Sequence, residues 1–175
     1  MKATLRIPAT DRKVGYKEIE VEITEEELKK LETKPTRKTG YERVDDGDTF
    51  WFDVDGTVGS DVDLRGDSER DNAYEAANYY SDFDVAMNNA RADNLMRQLR
   101  RFAVEHREQK LSWTPCSFKY LIFYKPTSGE LTCFVQDVYK VFGVIYFDTQ
   151  ETAELAIETF RDELLWYFTE YQDSL

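Results

Sequence analysis

A chain of 175 residues with 41% hydrophobic and 14% aromatic side chains holds enough apolar material for a packed interior, so disorder along its whole length is not expected. Its 35 acidic and 23 basic side chains leave a formal net charge of -12, which argues against a general nucleic-acid binder, because each bound phosphate asks for a lysine or arginine. Met1 to Ile7 has no apolar leader region, no run of about eighteen apolar residues follows, and neither secretion nor a membrane span is expected.

In chain order, residues 2–7 alternate as a strand does. Residues 17–23 alternate cleanly, with Ile19, Val21 and Ile23 on one face and Glu18, Glu20 and Glu22 on the other. A loop containing Gly15 joins them, so an antiparallel hairpin is predicted. Thr24 with Glu27 is a capping box opening a short helix through Leu28 and Leu31. Residues 34–40, Lys-Pro-Thr-Arg-Lys-Thr-Gly, read as a basic linker.

Beyond the linker the pattern repeats. The first copy has an aromatic strand (Thr49-Phe50-Trp51-Phe52), a turn at Asp55-Gly56, a strand from Thr57, a polar loop, Asn78-Tyr79-Tyr80, and a long helix capped by Ser81. The second has Phe118 to Tyr124, a turn at Pro126 to Gly129, a strand Glu130 to Val135, Val144 to Phe147, and a helix capped by Asp148. Aligning Tyr79-Tyr80-Ser81 with Tyr146-Phe147-Asp148 also matches Asp84 with Glu151 and Ala86 with Ala153. The fold class expected is therefore α+β. An N-terminal hairpin-helix unit (1–33) precedes two tandem β-β-β-α modules (41–110 and 112–175), with antiparallel sheets and long amphipathic helices. The first helix buries a stripe of Val85, Ala92, Leu95, Leu99, Phe102 and Ala103; the second buries Ala153, Ile157, Phe160, Leu164 and Phe168. Trp166, Tyr167 and Tyr171 are expected on the surface near the chain end.

Two chemical motifs are tempting. Phe50-Trp51-Phe52-Asp53-Val54-Asp55-Gly56-Thr57-Val58 resembles the first motif of the haloacid-dehalogenase phosphohydrolases. That resemblance implies Asp53 as nucleophile, Asp55 as general acid and base, and magnesium between the carboxylates. The acidic stretch Gly66 to Asp71 lies too close behind Thr57 for a crossover helix, and Asp55-Gly56 is more simply a hairpin turn. The spacing of the same aspartates also fails an EF-hand: counted from Asp53, the twelfth position is Leu64. Cys116 and Cys133 form no Cys-x-x-Cys pair, and His106 is the one histidine. Reduced thiols, no metal, no cofactor and no enzyme activity are expected.

The charge is localised. From Asp45 to Asp71 the chain carries ten acidic side chains (Asp45, Asp46, Asp48, Asp53, Asp55, Asp61, Asp63, Asp67, Glu69 and Asp71) against Arg65 and Arg70, or -8 of the total -12. Carboxylates spaced along a hairpin present negative charge at intervals similar to a nucleic-acid backbone, and these ten are the candidate partner-binding residues. The arginine-rich helix from Arg91 to Arg107 is expected to answer that charge internally. Reversing Asp61, Asp63, Asp67 and Asp71 to lysine is expected to abolish partner binding and spare the fold.

The aromatic strand, glycine turn, polar loop with Asp71-Asn72 and Asn78-Tyr79-Tyr80 before an acidic helix start together resemble a module of small accessory proteins. These belong to phages and mobile elements of Gram-positive bacteria and include anti-CRISPR inhibitors of Cas9. The resemblance spans residues 41–110 and more loosely 112–172, and departs at Ala77, where the module usually has glycine. It implies an inhibitor in the cytoplasm of a bacterial host. The implied partner is a Cas9-type effector or its guide-RNA complex, with no sequence-specific nucleic-acid binding by the chain itself.

Overall fold

The computed structural model describes residues 2–8, 16–22, 24, 38–108, 110–114, 117–136 and 139–172. It is a mixed α+β structure with antiparallel two-stranded sheets, and it divides into two units, Met1–Thr39 and Gly40–Leu175. In the first unit, β1 (Lys2–Pro8) pairs antiparallel with β2 (Tyr16–Glu22), Leu5 opposite Ile19. The helix expected after Thr24, over residues 25–31, lies outside the described residues.

The second unit opens with β3 (Thr49–Val54) and β4 (Thr57–Val62), paired antiparallel with Val54 opposite Thr57. The two-residue turn between them puts both Asp55 (φ 55°) and Gly56 (φ 89°) in the left-handed region, the geometry that suits the twist of a tight hairpin. Asp53 holds the turn shut by accepting the Gly56 N–H at 2.7 Å. Next come α1 (Ser68–Glu75) and α2 (Phe83–Glu105). A second antiparallel hairpin follows, β5 (Lys119–Lys125) with β6 (Glu130–Gln136). The last elements are α3 (Gln150–Thr159), α4 (Arg161–Trp166) and a π-helical stretch, Tyr167–Tyr171.

Four expectations are corrected. The third strand of each half is a single bridging residue. Trp51 exchanges both backbone hydrogen bonds with Tyr80 at 2.9 Å, and Tyr120 does so with Phe147 at 2.9 and 2.8 Å. The polar loop of the first half contains α1, which buries no residue and so carries no apolar periodicity to betray it. Its start is fixed by Asp67, which accepts the Glu69 N–H at 2.9 Å. The helix caps fall one residue later than expected in both halves: Asp82 accepts the Val85 N–H at 3.0 Å, and Thr149 Oγ1 accepts that of Thr152 at 3.1 Å. Ser81 instead donates to Glu42, and Asp148 accepts the Glu108 N–H. Finally, the long second helix breaks at Phe160, where Thr159 turns its hydroxyl back onto the Leu155 carbonyl at 2.7 Å.

One apolar cluster draws on both halves. Leu95, Leu99, Phe102 and Ala103 of α2 meet Leu131, Phe147, Ala153, Ala156, Ile157 and Leu164. Each buried leucine contributes about 2 kcal/mol by loss of apolar surface from water. Ala86 and Ala153, aligned in the sequence, are both 0% exposed. Trp166 is buried rather than displayed: the Arg91 guanidinium lies 3.8 Å over its ring, and Tyr171 bonds Asn89 at 2.9 Å. Among the described residues no helix is long and apolar enough to cross a membrane.

Candidate functional site

The acidic stretch is built around one carboxylate that never meets solvent. Asp63, just past β4, is 0% exposed. Arg43 grips it with two parallel bonds, Nε to Oδ2 at 2.7 Å and Nη2 to Oδ1 at 2.9 Å, and the Tyr79 hydroxyl donates to Oδ2 at 2.8 Å. Tyr79 is itself stacked on Phe50 at 4.2 Å and accepts the Val44 N–H at 3.1 Å. A buried charge persists only when paired and hydrogen-bonded in this way. The Arg43 hydrogen bond is the main reason the Asp63 carboxyl falls from 3.8 to about 2, against the opposing effect of burial. Asp63 and Asp71 together hold the Arg43 guanidinium above its usual range. Burial, reinforced by the bond to Asp63, pushes the Tyr79 hydroxyl up to about 12.

Around this centre three further links tie loop, strand and helix together. The Arg65 N–H donates to Asp46 at 2.9 Å, joining the turn at residues 45–48 to the loop after β4. Arg70 on α1 bridges Asp61 of β4 at 2.8 Å and the cap residue Asp67 at 2.7 Å. Arg43 reaches Asp71 of α1 at 2.6 Å with its remaining nitrogen. The Glu69 N–H and Arg70 keep the Asp67 carboxyl below the ordinary carboxylate range.

The ten sequence-derived residues therefore separate. Asp45, Asp46, Asp48, Asp61, Asp67, Glu69 and Asp71 lie on elements that these links bind together. Among them Asp45, Asp48 and Glu69 are exposed with no side-chain partner among the described residues. Asp63 is beneath the surface and unavailable to a partner, so reversing it to lysine breaks the fold instead of sparing it. Asp53 and Asp55 sit at the other end of the hairpin, about 20 Å away by the rise of a six-residue strand. There Asp53 also faces Arg97 at 3.6 Å. Their sheet is a two-stranded antiparallel hairpin, unlike the parallel sheet that the dehalogenase-like motif accompanies. Among the described residues no group of three or more metal-ligating side chains occurs. Cys133 is a free, half-buried thiol, and Cys116 lies outside the described residues.

Sequence reasoning missed Arg43 and the polar role of Tyr79. The available signal was an arginine two residues before the acidic run. Asn78 also does unforeseen work: its side chain accepts the Asp53 N–H at 2.7 Å and donates to the Asp53 carbonyl at 3.1 Å, replacing a strand residue beside the Trp51–Tyr80 bridge. Among the described residues only Arg97 of the arginine-rich helix touches the acidic stretch; Arg43, Arg65 and Arg70 neutralise it instead. Comparison with models of known protein families, with characterised proteins and with solved structures gives no match.

Proposed function

We propose that the protein is a binding protein whose acidic face occupies a basic surface on a host nucleic-acid-handling effector, of the Cas9 type, in the bacterial cytoplasm. The observation that carries this is the contrast between Asp63 and its neighbours. One carboxylate is locked inside to fix the loop and α1, and Asp45, Asp48 and Glu69 stand outside on the elements so fixed. A preorganised set of exposed carboxylates loses little conformational freedom on meeting lysines and arginines, and charge complementarity then speeds association and selects the partner. Arg43, Arg65 and Arg70 reduce the charge of the patch without cancelling it, since seven carboxylates besides Asp63 (Asp45, Asp46, Asp48, Asp61, Asp67, Glu69 and Asp71) lie on these elements. Residues 40–175 fit two tandem modules, each a hairpin, a bridging residue and a helix. In this scheme the first module carries the interface and the second completes the core.

The test is capture of an effector–guide-RNA complex by the tagged protein, compared with an Asp45→Lys, Asp48→Lys, Glu69→Lys triple variant. These side chains hold no structural bond, so the variant is expected to fold and to bind at least about tenfold more weakly. Equal capture by both proteins removes the acidic face from the function.

A further inference from the structure

Five arginines fall between Arg91 and Arg107, and they do not behave alike. Arg91 holds Glu163 in a two-bond fork at 2.8 and 3.0 Å, Arg97 faces Asp53 at 3.6 Å, and Arg101 pairs with Glu105 at 3.9 Å. Arg100 and Arg107 have neither an ion-pair nor a side-chain hydrogen-bond partner among the described residues. In a chain with twelve more acidic than basic side chains, these two guanidiniums without a carboxylate partner lie on one groove. Both line the same groove, of about 390 Å³, and the Arg107 Nε is shielded from solvent without a hydrogen-bond acceptor. Buried N–H donors in folded proteins are nearly always satisfied, so this one lacks an acceptor that the described residues do not supply.

The remaining walls are apolar: Ala103, Val104, Leu111, Val144 and Ile145, closed by Tyr146. The Val144 wall is held in place because the Val141 N–H donates to the Tyr146 hydroxyl at 2.6 Å, and the Tyr146 ring packs edge-on against Trp113 at 5.1 Å. We propose that this groove is a binding site for a small organic carboxylate, with its anionic end taken by Arg100 and Arg107 and its apolar body laid along Val104, Leu111 and Val144. A guanidinium presents two parallel N–H donors that match a carboxylate fork. The groove's size falls within the range of small-molecule sites, at the low end. This inference is independent of the acidic face, which involves other elements.

The experiment is a titration of the isotopically labelled full chain with 4-phenylbutyrate, followed through backbone amide shifts. Saturable shifts confined to residues 100–107, 111 and 143–146 are expected, as is at least tenfold weaker binding of 4-phenylbutan-1-ol. Arg100→Gln/Arg107→Gln is expected to weaken binding of the acid by tenfold or more. Arg161→Gln removes one positive charge outside the groove, as Arg107→Gln does within it, and is expected to bind like the parent chain. If the single variant Arg107→Gln alone is well folded, it too is expected to lose most of the affinity. The proposal is overturned by absence of saturable shifts, by equal binding of the alcohol, or by equal loss in Arg161→Gln.

Discussion

Asp63 shows how a single side chain divides fold from surface. Its carboxylate, lowered to about 2 by Arg43 and Tyr79, contributes stability that is complete above the ordinary value of 3.8 and vanishes as pH falls through about 2. Asp63→Asn is expected to lower stability by about 3 kcal/mol near neutral pH, since it leaves Arg43 partly buried without its main partner. Urea titrations should show that difference shrinking between pH 4 and pH 2; a difference that stays constant down to pH 2 contradicts the assignment. Ala77 is the second telling residue. Its φ of 54° lies in the left-handed region, where an alanine Cβ crowds the following carbonyl. Ala77→Gly is expected to raise stability by about 0.5–1 kcal/mol, despite the greater freedom of glycine in the unfolded chain, and thermal melts read the sign directly. Gly40 (φ 85°) makes the reverse case, since a Cβ there meets Val85 Cγ2 at 2.7 Å.

At the scale of elements, the caps offer a clean discrimination. Asp82→Ala removes the side chain that satisfies the Val85 N–H and is expected to destabilise by about 1 kcal/mol, and Thr149→Ala likewise at α3. Ser81→Ala removes only a bond to Glu42 and is expected to do less; chemical denaturation of the three variants orders them. The hairpins were legible in advance because their signals are local. The aromatic run Thr49 to Phe52, followed by Asp55-Gly56, prescribes a strand and a tight turn whatever lies elsewhere. The reduction of the first half's third strand to one bridge was not legible, because Asn78 substitutes a side-chain amide for backbone pairing beside it. Nor was α1, whose polar sequence is held by the Asp67 cap and Arg70 rather than by an apolar stripe.

For the whole molecule, the distribution of charge sets the prediction. Binding of a basic partner through Asp45, Asp48 and Glu69 is expected to weaken by about tenfold or more between 50 and 300 mM salt, because exposed charges are screened over a shorter distance as ionic strength rises. Isothermal titration at several salt concentrations measures the slope. An affinity indifferent to salt points instead to the exposed aromatic side chains Phe118, Phe134, Tyr139 and Phe142. Both halves of residues 40–175 share one apolar cluster, so core substitutions in α3 are expected to unfold the acidic face as well.

What depends on near neighbours was readable from the residues alone: the hairpins, the amphipathic α2 and the location of the acidic stretch. Tertiary structure alone decided which of ten similar carboxylates is internal. Asp61 and Asp63 are indistinguishable by composition and spacing. Arg43 and Tyr79, arriving from 20 and 16 residues away, single out Asp63. The same holds for the aromatic end of the chain, where Arg91 covers Trp166 from a different helix. Desolvation and pairing are properties of the surroundings of a side chain, and those surroundings are assembled only when distant segments pack together.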